Sequence, residues 1–171
     1  MNIRSLFNLT KQINNHIINL PPKEKFYLFD IKPILKAYRG NDWNNYIYNN
    51  NNNNNNINNK LNKISPSNFN NYLKIPIKFN ELSNYNKYEY EMFLLVWHPH
   101  SYTALHSHSE NGCLMKILEG NIIEQRISNQ GTLPQKNELY KNDIIYIHNI
   151  EGLHRIINNS FKYAYSLHIY S

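Results

Sequence analysis

Residues 105–121, LHSHSENGCLMKILEGN, decide how the rest of the chain is read. His106 and His108 form an H-x-H pair. Side chains alternate between the faces of a strand, so a strand here would put both imidazoles on one side. Two ring nitrogens side by side on a rigid element make half of a metal site. Cys113, the only cysteine of the chain, follows shortly after, and Gly120 turns its strand into the next. The apolar pattern of CLMKILEGNIIEQRI predicts two strands joined by a hairpin turn at Glu119-Gly120-Asn121.

Outward from this stretch the chain reads as strands. YEYEMFLLVW, with Phe93, Leu95 and Trp97 on one face, is a buried strand. NDIIYIHN, LHRIIN and YAYSLHIYS follow at short spacing with no helix between them. The strand pattern begins at about Tyr72. Many short strands with turn signals predict a mainly β fold, a small antiparallel barrel or jelly roll. Before it lies a helical segment, residues 1–48, expected to pack on the barrel. Ile3, Leu6, Phe7, Ile13 and Ile17 recur at helical spacing until Pro21-Pro22. In DIKPILKAYRG, Asp30 is expected to cap a second helix, Pro33 fits its first turn, and Gly40 suits a left-handed C-terminal position. Asp42 is expected to cap a third short helix carrying Trp43 and Tyr46. Residues 49–62 are an Asn-rich insert that offers no apolar surface to bury, and a disordered surface loop is expected there. The barrel is assigned to residues 63–171.

Composition narrows the class. At 171 residues the chain suits one domain with a buried core. No apolar run is long enough to span a membrane. The first residues lack the pattern of a secretory signal, and a single cysteine excludes an internal disulfide framework. A reducing, cytosolic setting is expected. The net charge of +6 comes from scattered lysines mixed with acidic residues, without a basic stripe, so no nucleic-acid partner is expected.

Eight histidines are present. His16 lies in the first helix, and His98, His100 and His148 fall near strand ends or loops; these four read as structural. His106, His108, His154 and His168 remain. In NIEGLHRIIN, Gly152 permits a tight turn, His154 begins a strand and Asn158 follows. Together with H-x-H, this resembles the two-part cupin signature, whose first motif supplies two His and usually a Glu, and whose second supplies a third His. Cys113 stands in the Glu slot. From Trp97 to Ser171 the chain resembles cysteine dioxygenase, a thiol dioxygenase of the cupin superfamily. The resemblance is carried by HSHSENGCLMKILEGN, IEGLHR and YSLHIY, and by DIKPILKAYRGNDWNNY in the N-terminal part.

That resemblance implies an oxidoreductase of cysteine catabolism and taurine biosynthesis. It implies Fe(2+) held by His106, His108 and His154, with Cys113 and Tyr170 joined by a thioether crosslink. His168 and Ser166 would hold the tyrosine, and Cys113, Tyr170 and His168 would serve catalysis. Alternation along YSLHIY lets Ser166, His168 and Tyr170 share one face. Three neutral imidazoles leave a metal its full charge, which favours a soft anionic ligand such as thiolate, and a facial set leaves positions open. The resemblance implies L-cysteine and O2 as substrates, giving cysteine sulfinate, and the protein is expected to act as a monomer. Ligand type alone leaves zinc open.

Two departures from the family stand out. An Arg that pairs with the substrate carboxylate has no counterpart: ungapped counting from Trp97 puts Asn80 there. Lys78, on the same face in IPIKFNEL, is the candidate anchor, though without the guanidinium fork. The barrel is also expected to be short at its C-terminal end, because family members usually continue with further strands after YSLHIYS. Alternatives are a dioxygenase for another small thiol, such as cysteamine or 3-mercaptopropionate, and a catalytically inactive metal-binding cupin.

Overall fold

Leu6, Leu9, Ile13 and Ile17 recur at three- and four-residue spacing, and in the computed structural model they form one buried stripe on helix α1, Leu6–Ile18. The structure describes residues 2–21, 23–48, 72–79, 90–108, 110–128, 134–148 and 152–171, so the Asn-rich insert at 49–62 and Asn80 lie outside the described residues. Ser5 caps α1 by accepting the Asn8 N–H. Phe7, expected on the buried stripe, stays 38% exposed and meets Phe79 edge-on.

The caps of the next two helices differ from expectation. A 3-10 turn at Leu28–Ile31 takes in Asp30, and α2, Lys32–Ala37, starts from Ile31 with no side-chain cap. Pro33 does sit in the first turn of α2. Gly40 is absent from the positive-φ positions; a Cβ there would lie 2.3 Å from the Arg4 carbonyl oxygen, so close backbone approach explains the glycine. Asp42 precedes α3, Trp43–Tyr48, but its carboxylate reaches elsewhere. One oxygen accepts the Leu6 N–H at 2.7 Å and the other accepts the Tyr38 hydroxyl at 2.7 Å. It thus satisfies an orphan donor of α1.

Among the described residues eight strands follow: β1 Tyr72–Ile77, β2 Glu91–Trp97, β3 Cys113–Glu119, β4 Ile122–Ile127, β5 Gln135–Leu139, β6 Ile144–Ile147, β7 Leu153–Ile157 and β8 Ala164–Tyr170. All pairings are antiparallel, in sheets of order β1-β2-β8-β3-β6 and β5-β4-β7. The result is a mainly β, two-sheet jelly roll. The predicted hairpin between β3 and β4 is a corner instead, since the two strands belong to different sheets. Gly120 makes that corner with φ of 80°, and a Cβ on it would lie 2.8 Å from Ala164 Cβ. The chain leaves one layer for the other, so β3 pairs with β8 and β6, and β4 with β7 and β5.

The central strands of the larger sheet, β2, β3 and β8, are largely buried on both faces. Met92, Leu94, Val96, Leu114, Leu118, Leu167 and Ile169 pack with the helices, while Leu95, Trp97, Met115, Ile117 and Ala164 join Ile122, Leu139 and Ile156 of the smaller sheet. Asn158 is fully buried, and its amide donates to the carbonyls of Trp97, His98 and Lys162. It locks the turn after β7 against the end of β2, which fixes where β8 begins.

Candidate metal centre

The H-x-H pair does not lie in a regular strand. His106 makes an isolated antiparallel bridge with His154, its N–H and C=O each bonded to the partner's backbone at 2.9 and 3.0 Å. Thr103 explains why the ladder fails to extend. Its hydroxyl accepts the Ile156 N–H at 3.0 Å, taking the place of a backbone carbonyl. The segment still runs beside β7, so His106 and His154 face each other and His108 folds over both.

The three imidazoles converge. His108 Nε2 is 2.8 Å from His154 Nε2, which is 3.2 Å from His106 Nε2. Two nitrogens bound at right angles to one metal, each about 2.1 Å away, would be about 3 Å apart. Two of the three separations match that spacing, and all three ligand atoms lie within 4.8 Å of one another, a grouping that could hold a metal ion. Each ring must offer a lone pair at Nε2, which needs the proton on Nδ1. His106 Nδ1 is 2.9 Å from the Ala104 carbonyl, and His154 Nδ1 is 3.3 Å from Glu124 Oε1. Burial lowers the pKa of His106 and takes His108 down to about 3, with the neighbouring imidazoles adding to the effect. Neutral imidazoles are the form a metal needs.

Cys113 and Tyr170 are direct cross-strand partners in the β3–β8 register, with Met115 opposite His168 and Ile117 opposite Ser166. Cys113 is fully buried, with Sγ 3.8 Å from His168 Nδ1. Burial raises its thiol to about 12, despite the hydrogen bond from Tyr170. A chain of polar contacts runs along the same face. Trp97 Nε1 donates to Ser166 Oγ at 2.7 Å, Ser166 Oγ is 2.9 Å from His168 Nε2, and His168 Nδ1 is 3.2 Å from Tyr170 Oη. Burial holds His168 well below its ordinary value and pushes Tyr170 upward, so both are neutral. Tyr170 also lies over the His108 ring, with centroids 5.8 Å apart.

A small cavity of about 60 Å³ opens among these groups, lined by the three metal-site histidines, His168, Tyr170 and Lys74, with Tyr72, Leu95, Trp97 and Thr103 among its walls. Lys78, the anchor expected from the sequence, is exposed just beyond β1 and does not line it. Lys74, four residues earlier on the same face of β1, does; its ammonium is 3.7 Å from the Phe93 ring centroid and 4.8 Å from that of Tyr170. Counting without gaps stops at Asn80, beyond the end of β1 at Ile77, and so passes Lys74 over.

Sequence reading also passed over Glu124. With Ile122 and Arg126 it alternates as a strand with a polar outer face would, yet its side chain has no exposure. Register explains this: β7 places Ile156 opposite Glu124 and His154 opposite Arg126, so this face points inward. Burial would raise the Glu124 carboxyl, but hydrogen bonds with His154 and Arg126, the Arg126 charge and Asn137 outweigh it and hold it below its usual range.

A jelly roll with three converging histidines at one end defines a metal-site cupin. The fold likeness extends to oxalate oxidase in complex with the substrate analogue glycolate, at a TM-score of 0.50 and 14% identity over 63% of this chain and 54% of that one. The family is more specific: the model of cysteine dioxygenase type I matches residues 80–171, and the chain belongs to that family. Cysteine dioxygenase type 1 of Rattus norvegicus and of Homo sapiens are each 31% identical over 90 residues, which is 48% of this chain and 45% of each relative. The matched region thus spans about half the length of these curated relatives. No helix among the described residues is long and apolar enough to cross a membrane.

Proposed function

We propose that this chain is an iron-dependent thiol dioxygenase that converts L-cysteine to cysteine sulfinate. The observation that carries the proposal is the convergence of His106, His108 and His154 beside a cavity that Tyr170 lines, with Cys113 paired across the strands to Tyr170. Bound by these histidines, iron(II) would supply O2 activation and stabilise the substrate as thiolate. The overall change balances without a further reductant: a thiol and O2 give a sulfinic acid, sulfur losing the electrons that both oxygen atoms gain.

The chain's own residues have distinct parts in this proposal. The small cavity admits a ligand of few atoms, and Leu95, Trp97 and Ile156 in its lining limit water. Ser166 Oγ, which accepts from Trp97, can pass its proton toward His168 Nε2. His168 Nδ1–H then donates to Tyr170 Oη, which lets the phenol proton turn from Cys113 to the ligand. Lys74 supplies the positive charge for the substrate carboxylate, as a point charge without the fork of guanidinium. Cys113 and Tyr170 are suited to a thioether, formed with loss of two hydrogens to O2. The same proposal makes the protein a cytosolic monomer with no nucleic-acid or membrane partner.

Lys74 in place of an Arg favours a second substrate choice within the same chemistry, a small thiol such as 3-mercaptopropionate or cysteamine. One assay decides: the iron-loaded chain is given L-cysteine, cysteamine and 3-mercaptopropionate with O2, and products are read by mass spectrometry. Sulfinate from cysteine is expected. Sulfinate only from another thiol moves the substrate assignment, and bound iron without any product leaves a metal-binding cupin that does not turn over.

A further inference from the structure

We infer that Glu124 is a positioning residue for the metal ligand His154 and sets the electron density of the metal centre through it, which rests on the metal site proposed above. His154 turns Nε2 toward His106 and His108, and its Nδ1 lies 3.3 Å from Glu124 Oε1. His154 Nδ1 and Glu124 Oε1 are both buried and neither makes a hydrogen bond of regular geometry among the described residues, so their contact is one of proximity and charge. A neutral imidazole carries one N–H; directed to the carboxylate, it commits the Nε2 lone pair to the metal.

Glu124 is itself rigidly held. Arg126 Nε is 2.8 Å from Oε1, and Asn137 Nδ2 donates to Oε2 at 3.2 Å from the neighbouring strand. Arg126 Nη2 donates in turn to the Tyr146 carbonyl at 3.2 Å, which ties the bracket to β6 of the other sheet. Burying an ionised carboxylate and a guanidinium together is poor value for stability, since apolar residues of similar volume usually do as well. The pair earns no explanation from packing, and its one contact with chemistry is His154.

The three ligands are therefore not equivalent. His106 is backed by a neutral carbonyl, His154 by a charged carboxylate. With Cys113 in the position where cupins usually carry a ligating Glu, the ligand set has no negative charge of its own. Glu124 restores part of that charge on the far side of the imidazole, making His154 the most electron-rich of the three ligands.

The test uses the whole chain, wild type and Glu124→Gln, Glu124→Ala and Gln125→Ala, titrated anaerobically with Fe(II) and with Co(II). Gln keeps the volume and an acceptor oxygen but not the charge; Gln125 is on the opposite face of β4. Expected for Glu124→Gln is a fall in Fe(II) affinity of about 10- to 100-fold, a raised Fe(III)/Fe(II) midpoint potential and a shifted Co(II) ligand-field spectrum, with Gln125→Ala unchanged. Should Glu124→Ala fail to fold, Glu124→Gln decides alone. Wild-type affinity, potential and spectrum in Glu124→Gln would overturn the inference while leaving the metal site standing. A wild-type chain that binds neither ion would remove the metal site as well.

Discussion

The two faces of the larger sheet's central strands are both largely buried, yet they do opposite things. Toward the helices, β2, β3 and β8 present Met92, Leu94, Val96, Leu114, Leu118, Leu167 and Ile169. Toward the smaller sheet the intervening residues include Cys113, Ser166, His168 and Tyr170, next to the histidine cluster. The helix face has one polar side chain on β3, Lys116, and it is spent on structure: its ammonium donates to the carbonyls of Leu35, Lys36 and Tyr38 at the end of α2. Burial, with Arg39 nearby, lowers its pKa to about 8. On the site face, polar atoms lead from Trp97 to Tyr170 and end at a cavity. Period-two alternation separates a face that supplies stability from one that supplies chemistry, and a slip of one residue would exchange them.

Substitutions should split along the same line. On the site side, His106→Ala is expected to abolish stoichiometric iron and thiol oxidation, with little change in the melting temperature of the metal-free protein, because His106 is only partly buried. Metal analysis and thermal melts on one preparation check both halves. On the helix side, Leu114→Ala removes a fully buried side chain and should cost about 2–5 kcal/mol of stability, while the folded fraction keeps its iron. Urea titration measures the cost. If Leu114→Ala loses iron while remaining as stable as wild type, the two faces are not separate.

How much of this was legible in the sequence follows from the same two faces. Alternation exposed the site face of β8, because Ser166, His168 and Tyr170 stand out among apolar neighbours. The converging histidines His106, His108 and His154 were legible as motifs, although the strand assigned to the first two was not there; Thr103 interrupts the ladder with a side-chain bond that no periodicity encodes. The corner at Gly120 looked like a hairpin because both turns need a left-handed residue, and only the pairing of β3 with β8 distinguishes them. Glu124 was missed because its burial depends on distant strand pairing. A charged residue on an alternating strand reads as solvent-facing until long-range register shows what it opposes. Asp42 likewise caps a helix that begins 36 residues earlier, a distance local capping rules do not cover.

Acid should act on the site face first. His106, His108 and His168 all have lowered pKa values, chiefly through burial. An unfolded histidine titrates near about 6.5, so below that pH the unfolded chain binds protons that the folded one refuses. Stability then rises with pH across this window and is lost as pH falls from about 6.5 toward the folded values, about 3 for His108. The urea midpoint of the metal-free protein should drop between pH 6.5 and 4. His168→Gln should flatten the slope in part, since it removes one of these groups while His98, also lowered by burial, remains. A midpoint that rises on acidification, or a slope that His168→Gln leaves unchanged, would mean that these histidines are less sequestered than their burial implies.

The smallest expected effect lies at the edge of the site face, at Lys74. Its aliphatic stem belongs to edge strand β1, and its ammonium lies over Phe93 and Tyr170 at the cavity wall. Because the residue is exposed, its attraction for a carboxylate is screened; a pair of this kind is worth up to about 1 kcal/mol, or about fivefold in affinity. Lys74→Met should therefore raise KM for L-cysteine about fivefold with kcat little changed, and leave cysteamine, which has no carboxylate, unaffected. Lys74→Arg restores a fork suited to carboxylate and should widen the preference for cysteine over cysteamine. The comparison of the two thiols carries the argument, since general damage to the cavity would weaken both. Equal losses for cysteine and cysteamine would show that Lys74 shapes the wall by stacking on Phe93 and Tyr170, and that the carboxylate is recognised elsewhere.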